Sequence, residues 1–399
     1  MPLDDPGATS GTADPDELVR RAQAVADDLL APAAQVVDRS TSVPASHLDA
    51  LSDAGLFGVA GPRSAGGSAL DGDRLRRTFA ALAGGCGATF FVWAQHHGVV
   101  GLLAAGERDD LRERWLAPMC AGEVRAGTAF AHLRRPGPPM ITAHREPRGW
   151  RIEGRAPWTT SWGIADVFTV AAETDDGRVV WALVEGPTST STTVPSIHAE
   201  PLALPVLAAT RTAALRFDRL HVGDADVVSI GVADRWRAAD RVRSARGSPA
   251  ALGVAHRAIA GIDGSDAGAR AAVSGLRRDL AAAWETDEAL ARALEPAASD
   301  TDDVRRADVV DRASEHRASN LDLARRATTA ALAAAGGRAM ELSHPAQRLA
   351  REAAFYVVQA QTADGRAATL AAQSSSAGGT GLPARVGAVD GTGRAAAQS

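Results

Sequence analysis

From Asp16 to about Cys120, apolar residues recur at spacings of three and four, as in LVRRAQAVADDLLAPAAQVV and LRERWLAPMC. That is the period of amphipathic helices. The interruptions are turn-forming: Thr41 to Pro44 precedes HLDALSDAGLFGV, and GPRSAGGSALDGD is too rich in Gly and Ser for regular structure. Between about Glu123 and Ile230 the period drops to two and β-branched and aromatic residues become frequent, in GWRIEGRAPWTTSW, DVFTVAAETDDGRVVWALVE and AALRFDRLHV. The TDDG segment between VFTVAAE and RVVWALVE predicts a hairpin in which Gly177 supplies the positive φ, so antiparallel pairing is expected. From Asp234 to about Ala372 alanine-rich amphipathic patterns return, as in ALGVAHRAIAGI and ASEHRASNLDLARRATTAALAAAGG. The predicted fold is therefore α+β. A loose leader (1–15) precedes an N-terminal helical domain (16–122), a middle antiparallel β domain (123–230), a C-terminal helical bundle (231–372) and a loose tail (373–399), whose Gly, Ser, Ala and Arg have little to bury.

The length of 399 residues accommodates these parts, and the 45% hydrophobic and 23% charged residues are close to the globular average. There is no lysine, so all 43 positive charges are arginine. That removes amine nucleophiles, Schiff bases and the phosphate-cradling lysine of P-loop proteins. A net charge of -5 offers no basic field for nucleic acid. Cys86 and Cys120 lie in apolar or small-residue stretches without CxxC spacing and read as buried free thiols. No apolar run approaches 18 residues and the first residues lack an apolar signal core, so neither membrane nor export is expected and the cytoplasm is the expected location.

The chain resembles the acyl-CoA dehydrogenase superfamily over roughly residues 16 to 370. LSDAGLFGVAGPRSAGGSAL is similar to a glycine-rich family stretch, with Gly55, Gly58, Pro62, Gly66 and Gly67 in matching places. Gly106, Leu116, Pro118 and Gly122 carry a second match in the run leading to GTAFAH. GRAPWTTSWGIADVFTV looks like the family's tryptophan–threonine flavin string, with Trp158, Thr160, Ala165 and Asp166, and RFDRLHV looks like the strand closing the β domain. A tryptophan packed in a β core would read the same way, and the flanking matches favour the flavin reading. The resemblance implies FAD as cofactor, held by Phe130, Ala131, Trp158, Thr160, Gly336 and Gly337. It also implies a small-molecule acyl substrate, an electron-transfer flavoprotein as electron partner and a homodimer or homotetramer. Close helix approach around the Ala-rich faces from Ala327 to Ala335 would support such self-association.

Several family features are missing. Dehydrogenation of an acyl thioester needs a carboxylate base. Counting from Arg351 puts Ala360, between Gln359 and Gln361, where most members carry it, and counting back from Gly253 puts Arg243 at the minority position. Asp240, one helical turn earlier, is the remaining acidic candidate. The family's thr-glu loop is replaced by Ala131, His132 and LRRPGPPM, and the arginine motif that reaches the FAD pyrophosphate from a neighbouring subunit is not visible in GIDGSDAGARAAVSGL. His96 and His97 are instead adjacent on one helix, diverging by about 100°, so at most one can face a site. The flavin monooxygenases that share this fold are similar in carrying a histidine near this position and lacking the glutamate. A neutral imidazole there could take a proton from a substrate hydroxyl.

Three activities are consistent with these residues. The first is an acyl-CoA dehydrogenase-like flavoenzyme acting on an acyl thioester or related small molecule, with Asp240 as base. The second is a flavin-dependent monooxygenase using FAD or FMN reduced by a flavin reductase, with His96 or His97 in the proton role. The third is a non-catalytic subunit paired with an active paralogue. No metal site is expected.

Overall fold

The computed structural model describes residues 14–187, 194–297 and 303–375. The expected leader and tail fall outside these residues, apart from the cap and first residue of the first helix and the last turn of the final one. The chain opens on a helical stretch made of α1 (Pro15–Ala24), a π-helical turn (Val25–Leu30) and α2 (Ala31–Asp38). Its start is set locally: the Asp14 carboxylate accepts the Asp16 N–H at 3.1 Å and Pro15 takes the first helical position, where its missing N–H costs nothing. There follow α3 (Ala45–Asp53), α4 (Gly72–Gly85), α5 (Gly87–Ala105) and α6 (Asp109–Ala121). α5 carries apolar residues on nearly every face and is buried accordingly, through Phe90, Val92, Trp93, Val99 and Val100. α6 ends at Gly122, whose φ of 78° lets its N–H reach the Met119 carbonyl.

The middle of the chain is one eight-stranded sheet: β1 (Ala126–Ala129), β2 (Ile141–Glu146), β3 (Gly149–Thr159), β4 (Val167–Glu173), β5 (Arg178–Glu185), β6 (Ile197–Pro201), β7 (Ala213–Gly223) and β8 (Val227–Val232). The strand order is β6-β7-β3-β2-β4-β5-β8, with β1 against β4. Most pairs are antiparallel, including β4 with β5 across the TDDG turn, where Gly177 adopts φ 76°. The sheet is nevertheless mixed, because β1 runs parallel to β4 and β2 touches β4 in parallel at Thr142 and Glu173. The parallel pair is possible because β1 and β4 are not joined by a hairpin: the 3-10 turn and the β2–β3 hairpin lie between them in the chain.

The C-terminal part comprises α7 (Ala233–Ala245), α8 (Pro249–Ala260), α9 (Ala267–Ala297), α10 (Asp303–Ala335), α11 (Pro345–Val358) and α12 (Ala363–Ser375). N-terminal and C-terminal helices share one core, in which Leu30, Leu51, Phe57 and Trp93 lie with Leu252, Val254, Leu321 and Tyr356. Their closest crossing joins α4 to α8. A Cβ on Gly253 would stand 2.0 Å from the Ala80 carbonyl oxygen, and one on Gly84 would stand 2.8 Å from the Gly253 carbonyl. Glycine on both helices is what lets the two backbones meet. One sheet face packs on itself and its loops, and the other packs on α5 and α6 through Val99, Val100, Leu103 and Met119. The α+β architecture read from the sequence is the observed one.

Candidate active site

A cavity of about 1030 Å³ opens where the sheet meets the helices. Its sheet wall is Thr128 of β1, Phe130, Thr169 of β4, and Val179 and Trp181 of β5, with residues 229–232 of β8 beside them. Its helical walls come from α4 (Leu75, Arg76, Phe79), α5 (His97, Gly98, Gly101) and α7 (Trp236, Asp240, Arg243, Ser244). Arg317 of α10 and Gln359 and Ala360, beyond α11, close the far end. Phe130, Trp181 and Trp236 form an aromatic trio with ring centroids 5.7 to 6.0 Å apart. The Arg134 guanidinium lies 5.2 Å from the Phe130 ring centre. The three rings are tilted by 45° to 76° to one another and give the cavity an apolar wall set among its arginines.

The two adjacent histidines take different roles. His96 is buried away from the cavity, edge-on to Phe57, and its Nδ1 accepts the Ala126 N–H at 3.2 Å, tying α5 to the start of β1. Nδ1 must therefore be unprotonated, and burial pushes this imidazole down to about 4. His97 turns toward the cavity, packed against Trp93 and Phe79, and neither ring nitrogen has a hydrogen-bond partner among the described residues. At 7% exposure, burial holds it well below the ordinary imidazole range. It is therefore neutral at physiological pH, with one free lone pair and one free N–H.

Asp240 also faces the cavity, but it is occupied. Arg134 Nε and Nη2 donate to its two oxygens at 2.7 and 3.0 Å, and Arg243 stands 3.8 Å away. A bidentate guanidinium engages one lone pair on each oxygen and fixes the carboxylate's orientation toward Arg134. Arg243 and Ala360, the two positions reached by counting to the family glutamates, both line this same cavity.

The remaining residues singled out from the sequence are spread more widely. Phe130 is in the cavity wall, and Ala131 opens the 3-10 turn Ala131–Arg134 behind it. The neighbouring His132 is buried, its Nε2–H donating to the Ala171 carbonyl at 3.0 Å, and burial lowers it to about 4. Trp158 is 49% exposed near the end of β3 and does not line the cavity. Thr160 is buried, sharing a hydroxyl hydrogen bond with Thr212 at 3.1 Å. Its carbonyl lies 3.3 Å from where a Cβ on Gly127 would stand, one residue from the cavity-lining Thr128. On either side of it, Thr159 Oγ1 and Ser161 Oγ are buried without a partner. Gly336, at φ 61°, and Gly337 begin the 3-10 turn after α10, away from the cavity. The cavity arginines 134, 246 and 317 were not singled out from the sequence. They come from a loop, a helix end and α10, and no local pattern connects them. Among the described residues no cluster of side chains could hold a metal, and both cysteines are free and buried.

Residues 12–123 match the family described as acyl-CoA dehydrogenase, N-terminal domain. The whole fold is similar to butyryl-CoA dehydrogenase from Megasphaera elsdenii (TM-score 0.70, 18% identity, 93% of this chain and 100% of that one). Residues 12–123 thus match an acyl-CoA dehydrogenase N-terminal domain, and the fold of the whole chain is of the acyl-CoA dehydrogenase type. It is equally similar in fold to dibenzothiophene monooxygenase from Paenibacillus sp. A11-2 (TM-score 0.72, 14% identity, 89% of this chain and 96% of that one). In sequence it is 28% identical over 162 residues to benzylmalonyl-CoA dehydrogenase of Aromatoleum aromaticum, a match spanning 38% of this chain and 41% of that protein. The fold is thus shared by dehydrogenases and monooxygenases, and fold alone does not select between them. Among the described residues no helix is long and apolar enough to cross a membrane.

Proposed function

We propose that this protein is a flavin-dependent monooxygenase acting on a small molecule, with His97 as its proton-handling residue. One observation carries the reading: among the described residues Asp240 alone brings a carboxylate to the cavity and Arg134 clamps it, while the neutral His97 imidazole, its nitrogens buried without partners, borders the same space. Acyl-CoA dehydrogenation requires a free carboxylate beside the substrate, and oxygenation does not.

The residues present fit a flavin. Trp158 presents a half-exposed indole, and the unpartnered hydroxyls of Thr159 and Ser161 flank Thr160. Phe130, Ala131, Trp158 and Thr160 would hold FAD or FMN, while Gly336 and Gly337, also expected from the sequence to bind it, lie away from this cavity. In reduced form flavin supplies two electrons to dioxygen, one oxygen atom going to the substrate and the other leaving as water. His97 accepts the proton released from a substrate O–H or N–H, its low pKa keeping it in the basic form at neutral pH. Phe79 and Trp236 keep bulk water from the reacting group, and the Arg134–Asp240 pair fixes α7 to the turn after β1. A flavin reductase is the electron partner under this reading. Exposed Met340, Leu342, Val358 and Leu370 on the C-terminal helices support a homo-oligomer.

The test begins with the spectrum of the purified protein and anaerobic addition of straight-chain acyl-CoA esters. Bound flavin should stay oxidised under these conditions. With reductase-supplied flavin and ¹⁸O₂, one labelled oxygen should appear in product from a panel of aromatic and amine substrates, and His97→Ala should abolish it. Rapid bleaching by an acyl-CoA that is indifferent to His97→Ala would return the protein to the dehydrogenase class.

A further inference from the structure

The cavity is lined by six arginines and one carboxylate, in a chain whose overall charge is -5. Two of the six are neutralised locally: Arg76 by Asp287, at 2.9 Å, and Arg134 by Asp240. Arg243 has only a distant share of Asp240, at 3.8 Å. Arg235, Arg246 and Arg317 face no carboxylate within ion-pair distance among the described residues. Arg317 is the most telling of these. Only 7% exposed, it donates Nη1–H to the Arg246 carbonyl at 3.3 Å and Nη2–H to the Gln359 carbonyl at 2.9 Å. Two backbone bonds aim it at the end of the cavity beside Ala360 but do not cancel its charge. Burial, with repulsion from Arg134, lowers it to about 10, so it remains a cation at pH 7. Burial likewise lowers Arg243, with Arg134 and Arg246 adding repulsion. Arg317 is thus a buried cation held only by backbone carbonyls, with the more exposed Arg243 and Arg246 beside it, an arrangement that a bound anion would stabilise.

We propose that this cavity takes a substrate bearing an anionic group, a carboxylate or phosphate, seated on Arg246 and Arg317 beside Ala360. Arginine suits the task because its planar fork binds such oxygens in pairs. The apolar body of the substrate then lies along the Phe130, Trp181 and Trp236 wall, toward His97. The assignment rests on the proposed function only in calling the ligand a substrate, since the charge pattern exists without any turnover.

The experiment is calorimetry on the full chain with two near-isosteric probes, 3-phenylpropionate and 3-phenylpropanamide, without flavin. The acid should bind at least about tenfold more tightly than the amide, a difference of about 1.4 kcal/mol. Arg246→Gln, whose side chain is exposed and unpaired, should bring the ratio below about threefold and leave the amide unchanged. Arg317→Met should do the same. If it does not fold, Arg243→Gln takes its place. Equal binding of acid and amide, or a ratio that survives these substitutions, overturns the proposal. A second arm compares FMN with riboflavin. If the substitutions remove a preference for FMN and spare the acid–amide ratio, the arginines serve the flavin phosphate and the substrate assignment fails. Since no arm measures oxygenation, a failed monooxygenase assay leaves these results intact.

Discussion

Acidification from about pH 7.5 to pH 5 should destabilise the fold by several kcal/mol, through histidines buried in the neutral form. An unfolded imidazole titrates near 6.5, whereas burial holds His96 and His132 at about 4 in the folded chain. Between those values the unfolded state binds the proton and the folded state does not, so stability rises with pH and is lost as pH falls. Each pKa unit corresponds to about 1.36 kcal/mol, and from 6.5 to 5 that amounts to about 2 kcal/mol for each of the two residues. His97 contributes in the same direction. Carboxylates whose folded values are lowered scarcely interfere, because their unfolded pKa values lie near 4; burial raises the Glu352 carboxyl, which works against the histidines and is common to wild type and variant. The assay is urea unfolding at the two pH values for wild type and His132→Gln, whose amide can keep the bond to the Ala171 carbonyl. The variant should lose about 2 kcal/mol of the pH dependence. If both proteins respond to acid alike, within about 0.5 kcal/mol, the buried-neutral assignment of His132 is wrong.

Gly253→Ala should cost about 3 kcal/mol in urea unfolding, the upper end for overpacking, because the added methyl meets backbone of Ala80 that cannot rotate aside. A loss below about 0.5 kcal/mol would show that α4 and α8 separate freely. Glu352 is buried 2.7 Å from Arg348, so Glu352→Ala should cost about 3 to 5 kcal/mol by leaving that guanidinium unpaired. The double change with Arg348→Met should recover part of the loss, and additive losses would refute the pairing. Trp158→Ala should lower flavin occupancy while leaving the thermal midpoint nearly unchanged, since the side chain is half exposed. Undiminished flavin affinity would move the flavin away from this residue.

The fold was legible because its helical and strand segments carry different hydrophobic periods, and Gly177 marked the β4–β5 turn. β1 was not legible as a parallel strand: its four residues, AGTA, are all buried and show no alternation, so nothing in them announces the partner. At the site, the helical angle between His96 and His97 indicated that only one could face a pocket, but selecting His97 took the packing of Phe57 and β1 around His96. Asp240 was found by its spacing, whereas its capture by Arg134, 106 residues away, depended on tertiary structure. The unpaired arginines escaped for the same reason. Their meaning lies in what they lack, and a missing partner leaves no trace along the chain.

The glycine crossing of α4 and α8 bears on substrate tolerance. The helix that brings Leu75, Arg76 and Phe79 to the cavity is held main chain against main chain on α8, so its axis cannot shift to make room. The opposite side carries Arg243 of α7 and Arg246 at its end, exposed side chains that can swing without moving a helix axis. Ligands of different bulk would therefore be measured against a fixed jaw and accommodated by an adjustable one. Engineered changes in selectivity should come more readily from Arg243 and Arg246 than from any residue of α4.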